Sequence, residues 1–139
     1  METFPTELGI LTCLMILAAS LWIPYIVGVN KYEVPGAEDP FVRPTPLDQF
    51  PAWVHRAHRA HLNLIEQALP FSVLVLILNS IDGFTGLTYW TAIVFFWVRV
   101  LHAVGMIAGF AKMPLRPGLF LIGWLCCLTM AYAVFTAAL

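Results

Sequence analysis

The residues best suited to chemistry lie together in Arg56-Ala57-His58-Arg59-Ala60-His61-Leu62-Asn63-Leu64-Ile65-Glu66-Gln67-Ala68-Leu69-Pro70-Phe71. Read as a helix at about 100° per residue, Arg56, Arg59, Asn63, Glu66 and Pro70 fall within an arc of roughly 80°. That is one polar stripe, running from two basic turns into an apolar run that carries a carboxylate with it. Guanidinium groups bind carboxylates in bidentate fashion. A glutamate takes an ammonium, and an asparagine side chain bridges amide groups. Together these groups suit a zwitterionic peptide with carboxylates at its ends. The apolar surroundings suit a lipophilic second substrate.

The rest of the chain explains why such a stripe is notable. In 139 residues there is room for one domain, 1–139. Apolar residues make up 60% and charged residues only 11%, against about 25% charged in soluble domains. Mean hydropathy is +0.84. This composition belongs to an all-α polytopic membrane protein, in which an ionisable residue inside an apolar segment is a functional candidate by default. A net charge of −1 says nothing about nucleic acid, and no basic run suggests a nucleic-acid partner. Cys13, Cys126 and Cys127 fall inside apolar segments without metal-type spacing and read as small hydrophobes. Glu2 and Glu7 precede the first apolar run with no basic residue, unlike a secretory signal, so that run is expected to be a retained helix.

Four segments must position the stripe. The first covers about 8–29, with Pro24 expected to kink it, and is long enough to cross about 30 Å of hydrocarbon. Residues 30–50 form a polar loop with Pro35, Pro40, Pro44 and Pro46. Asp48 ahead of Pro51 resembles a helix start, and a helix over 51–78 would reach about 42 Å. Asn79 to Gly83 is a turn. The third segment, 87–110, carries Arg99 and His102 one turn apart near its centre. A turn with Lys112, Pro114, Arg116 and Pro117 leads to an uncharged fourth segment over 119–138. Lys31, Arg43, Arg56, Arg59, Lys112 and Arg116 all fall at one end of this up-and-down arrangement. By the positive-inside rule both termini face away from the cytoplasm and the stripe opens toward it.

Other uses of these residues compete. Arg56 and Arg59 suit snorkelling at an interface, and Glu66 suits a structural ion pair with Arg59 or Arg99. Arg99, near mid-membrane, must meet a carboxylate, a ligand anion or water, so its expected partner is Glu66 or something bound. His55, His58 and His61 recur every third residue, but such positions shift by about −60° each and never converge. Two arginines among them would repel a cation, so no metal is expected.

The run Arg59-Ala60-His61-Leu62-Asn63-Leu64-Ile65-Glu66, with Pro70-Phe71 after it, resembles the signature R-A-x-x-N-x-x-E of the MAPEG family, membrane-associated proteins in eicosanoid and glutathione metabolism that include the microsomal glutathione transferases. Arg99-Val100-Leu101-His102 and Pro114-Leu115-Arg116 extend the likeness over essentially the whole chain. The resemblance implies a four-transmembrane-helix bundle assembling as a homotrimer in the lipid bilayer. Glutathione would be co-substrate, bent between neighbouring subunits near the cytoplasmic side. Arg59 and Arg99 would then hold its carboxylate or backbone groups, Asn63 its peptide and Glu66 the γ-glutamyl ammonium. Arg56, His61, His102, Lys31 and Lys112 complete the implied binding set. His61 lies about 160° from Arg59 on the wheel, which suits a trimer in which one helix lines two sites, and Lys31 is the candidate to reach a neighbour's glutathione. Arg116 is the candidate for stabilising the glutathione thiolate, the nucleophilic form, with Lys112 the alternative.

The chain departs from the family in having Met106 and His102 where members carry tyrosines, and Leu64 where several carry an acid. The expected activity is a membrane-embedded glutathione-dependent transferase or peroxidase acting on lipophilic electrophiles or lipid hydroperoxides. The alternative is a non-catalytic scaffold or regulator on the same fold. A transporter or proton relay built on Glu66 and Arg99 fits less well, since the chain shows no internal repeat.

Overall fold

Pro24 has no N–H to offer the Ser20 carbonyl, and the first apolar segment breaks just there. The computed structural model describes residues 4–38 and 45–139. In it the first segment forms α1 (Thr6–Ser20) and α2 (Ile23–Lys31), joined by a turn at Leu21 and Trp22. Then follow α3 (Ala52–Ser80), α4 (Gly86–Ala108) and α5 (Leu115–Ala138). The described residues are all-helical, without strands. With α1 and α2 taken as one span, 4 stretches are long and apolar enough to cross a membrane.

Two helix starts differ from expectation. Pro51, not Asp48, occupies the cap position of α3, and no side chain caps it. The last helix begins at Leu115, a full turn before the expected start at 119. Pro117 and Gly118 read as breakers in sequence, but the first-turn N–H groups of a helix have no intrahelical acceptor, so a proline there removes nothing. Arg116 N–H bonds the Lys112 carbonyl at 2.9 Å and Gly118 N–H that of Pro114 at 3.1 Å, so Arg116 has helical backbone rather than loop freedom. Of the proline-rich loop, Asp39, Pro40, Arg43 and Pro44 lie outside the described residues.

α3, α4 and α5 pack against one another, α1 lies on α3 and α4, and α2 runs along α3. Leu14, Leu64, Phe71, Val75, Phe95 and Met130 are fully buried between them, and the Phe71 and Phe95 rings stack at 3.9 Å. The outward faces carry Trp90, Trp97, Leu128, Tyr132 and Phe135, all exposed. Apolar exposure on this scale is the mark of a surface solvated by lipid.

The connections sort to opposite ends. At one end the buried Glu7 carboxylate accepts from the Thr88 hydroxyl at 2.7 Å, and Gly83 packs on Ala137, so the starts of α1 and α4 lie with the end of α5. At the other end are the close of α2, the start of α3 and the segment 109–114. The polar stripe begins there.

Candidate functional site

Arg59, Asn63 and Glu66, one and two turns apart on α3, line a cavity of about 1040 Å³. His102 of α4, Lys112 and Met113 of the connecting segment, and Arg116, Phe120, Leu121 and Trp124 of α5 complete it. Three cationic side chains and one carboxylate thus share a cavity whose remaining wall is aromatic and aliphatic. Glu66 has no hydrogen-bond or ion-pair partner among the described residues. Pro70, four residues on, also deprives the Glu66 carbonyl of its usual helical donor. Both polar groups of this residue are therefore available inside an apolar helix. The arrangement can receive an anion on its cations and an ammonium on Glu66, beside an apolar ligand.

Arg99 does not line the cavity but lies behind two residues that do, Asn63 and His102. It is completely buried, and where the sequence suggested Glu66 or something bound as its partner, its hydrogen bonds go to neutral groups. One terminal nitrogen donates to Gln67 Oε1 at 2.9 Å, and the other to the Asn63 backbone carbonyl at 3.0 Å. The latter nitrogen also lies 3.4 Å from His102 Nδ1. Gln67 in turn donates through Nε2 to the Phe120 carbonyl at 2.9 Å, tying α3 to α5. Gly123 makes this reach possible, because a Cβ there would collide with Gln67 Oε1. Gln67 was not among the residues that the sequence singled out. It lies about 100° round the helix from Glu66 but only about 20° from Arg56, at the border of the stripe, and only Arg99 on another helix reveals its use.

Three other expected binding residues lie elsewhere on the single chain. Arg56 leaves the stripe to donate to the carbonyls of Met106 at 2.8 Å and Ile107 at 3.3 Å, capping the end of α4. Lys31, exposed at the end of α2, has its Nζ 5.7 Å from the Tyr32 ring centre, away from the cavity. His61 does not line the cavity either. Met106 is buried, and its sulfur accepts from Asn63 Nδ2 at 3.5 Å. The cavity therefore has no tyrosine among its described lining. His58 stacks obliquely on Tyr25, ring centres 4.8 Å apart.

Fold and site together define a polytopic helical membrane protein with a cationic, partly apolar cavity at one end of its bundle. The sequence pattern of the MAPEG family matches residues 9–136, nearly the whole chain, and the protein belongs to that family. In direct comparison no curated protein matches it.

Proposed function

We propose that the protein is a membrane-embedded glutathione-dependent transferase or peroxidase acting on lipophilic electrophiles or lipid hydroperoxides. The observation that carries this reading is the cavity itself, in which Arg59, Lys112, Arg116, Asn63 and Glu66 face Phe120, Leu121 and Trp124. Its volume, about 1040 Å³, lies at the upper end of the roughly 300–1,000 Å³ typical of small-molecule sites. A tripeptide and part of an apolar second substrate fit such a space. Glu66 would take the γ-glutamyl ammonium, and Arg59 and Lys112 the carboxylates. Arg116, held in the first turn of α5, would lower the free energy of the thiolate by its charge. In transfer, the thiolate sulfur forms the new C–S bond while the leaving group departs with its electron pair. Lys31 and His61, off the cavity on one chain, would act only across a homotrimer interface.

The bundle end bearing this cavity carries Lys31, Arg56, Arg59, Lys112 and Arg116, while the end with Glu7 and Asp82 carries no lysine or arginine among the described residues. By the positive-inside rule the cavity would open toward the cytoplasm with both termini opposite.

One observation favours a second reading. With no tyrosine hydroxyl among the described residues lining the cavity and Met106 bonded to Asn63, thiolate stabilisation would rest on a cation alone, Arg116 or Lys112. A scaffold or regulator that binds glutathione weakly without turnover is the result. The ultraviolet difference spectrum of the purified protein on adding glutathione separates the two. A thiolate band abolished by Arg116→Ala supports the enzyme. Binding without a band supports the scaffold, and no binding removes the glutathione reading.

A further inference from the structure

The chain of contacts behind the cavity wall runs from the Phe120 carbonyl through Gln67 and Arg99 to His102. Arginine has only N–H groups to offer. A hydrogen bond from Arg99 across the 3.4 Å to His102 Nδ1 requires that nitrogen to be the acceptor and to bear no proton. A neutral imidazole that accepts at Nδ1 carries its proton on Nε2. His102 is 1% exposed, its ring belongs to the cavity wall, and its Nε2 has no hydrogen-bond partner among the described residues. A buried donor left unpaired costs about 1–3 kcal/mol, so an unpaired N–H beside a cavity is a group built for what enters it.

Gln67 controls this arrangement. Its amide spans two helices, accepting from Arg99 and donating to Phe120, and Gly123 leaves it room. Without it, Arg99 would keep only the Asn63 carbonyl as a strong acceptor and its guanidinium would be free to turn. A glutamine also differs from a carboxylate here in a way that matters. It accepts the hydrogen bond without neutralising the guanidinium, so the positive charge of Arg99 persists behind the cavity wall.

We propose that Gln67 is a positioning residue of the site: through Arg99 it holds His102 with Nδ1 as acceptor, which leaves the proton on Nε2, buried in the cavity wall, and it accepts from Arg99 without neutralising the guanidinium. The Nε2–H then selects the orientation of an anionic ligand that reaches it, since it donates to a carboxylate or carbonyl oxygen and repels an ammonium. The ammonium is directed to Glu66. This ligand polarity rests on the proposed function; the role of Gln67 does not.

The test uses full-length protein in detergent or lipid discs with ¹⁵N-labelled histidine, the His102 ring signals being identified by their loss in His102→Gln. At neutral pH and without glutathione, the wild type is expected to show Nε2 protonated and Nδ1 shifted as for an accepted hydrogen bond. In Gln67→Asn, whose amide stops one methylene short of Arg99, the Nδ1 signal should move to the position of a free acceptor. In Gln67→Glu it should stay, because an acceptor remains, while the affinity for glutathione falls at least tenfold. A protonated Nδ1 in the wild type, or an Nδ1 signal unmoved in Gln67→Asn, overturns the proposal. So does a Gln67→Glu variant that binds as tightly as the wild type while the wild type does bind. The wild-type spectrum decides the tautomer even if Gln67→Asn fails to fold. Failure of the wild type to bind glutathione, with the Nδ1 signature present and sensitive to Gln67→Asn, counts against the proposed function and leaves the positioning role standing.

Discussion

The Arg56 guanidinium donates to the Met106 carbonyl at 2.8 Å across 50 residues of chain. The last carbonyls of α4 have no donors within their own helix, and a cation suits the negative end of the helix dipole. Gly109, with φ of 89°, ends the helix in the left-handed region, and a Cβ there would lie 3.1 Å from the Arg56 guanidinium. Arg56 thereby fastens the segment carrying Lys112 to α3. Its replacement is expected to loosen structure rather than delete a ligand contact. Arg56→Ala should cost about 1–2 kcal/mol, as for a partly exposed charged hydrogen bond, lowering the thermal midpoint in detergent. Arg56→Lys should recover only part, since lysine lacks the fork. An Arg56→Ala variant of unchanged midpoint that binds glutathione as poorly as Glu66→Gln would make Arg56 a ligand residue instead.

Glu66 gives the opposite pattern. It has no hydrogen-bond or ion-pair partner among the described residues, so Glu66→Gln should leave the thermal midpoint of the free protein nearly unchanged. Glutathione affinity should drop by about 2 kcal/mol or more, the loss expected when one member of a desolvated charge pair is removed. Titration with cysteinylglycine, which lacks the γ-glutamyl ammonium, tests the assignment. Wild type and variant should bind it alike, and a persisting difference would mean that Glu66 contacts another part of the peptide.

At the far end of the bundle, Thr88→Val should strip the buried Glu7 carboxylate of its hydroxyl donor with little change of shape. An unsatisfied buried acceptor costs about 1–3 kcal/mol, visible as a lower midpoint, and Thr88→Ser should restore it. Glutathione affinity should not move, because the cavity lies at the other end. Isothermal titration of both variants checks this.

Gly123→Ala places a methyl group on Gln67 Oε1. Overpacking of this kind costs about 1–3 kcal/mol. A double-mutant cycle with Gln67→Ala should show strong coupling, the glycine substitution being nearly free once the longer side chain is gone. Additive losses in the two single variants would mean that α3 and α5 shift apart to relieve the clash.

The stripe of Arg59, Asn63 and Glu66 was legible because helical periodicity is local: three residues at i, i+4 and i+7 share a face whatever else the chain does. The break at Pro24 followed from a missing N–H, which is equally local. The helical class and the four membrane-length stretches followed from apolar runs, since backbone groups in hydrocarbon must be satisfied within the helix. The start of α5 was misplaced because Pro117 and Gly118 have a different meaning in a first turn than in a helix interior, and only backbone geometry distinguishes the two.

The sequence by itself determined which residues can face one another along a helix and that those helices belong in a membrane, because both depend on side-chain type and short-range spacing. Only the tertiary structure decided which guanidinium does which work. Arg56 and Arg59 are one turn apart on one face, yet one caps α4 and the other lines the cavity. Arg99 meets Gln67 rather than the neighbouring Glu66 because the separation of α3, α4 and α5, set partly by Gly123, brings an amide within reach where a carboxylate turns outward. A hydrogen bond between nitrogen and oxygen typically spans about 2.7–3.2 Å, a closeness between two helices that no periodicity within one can supply.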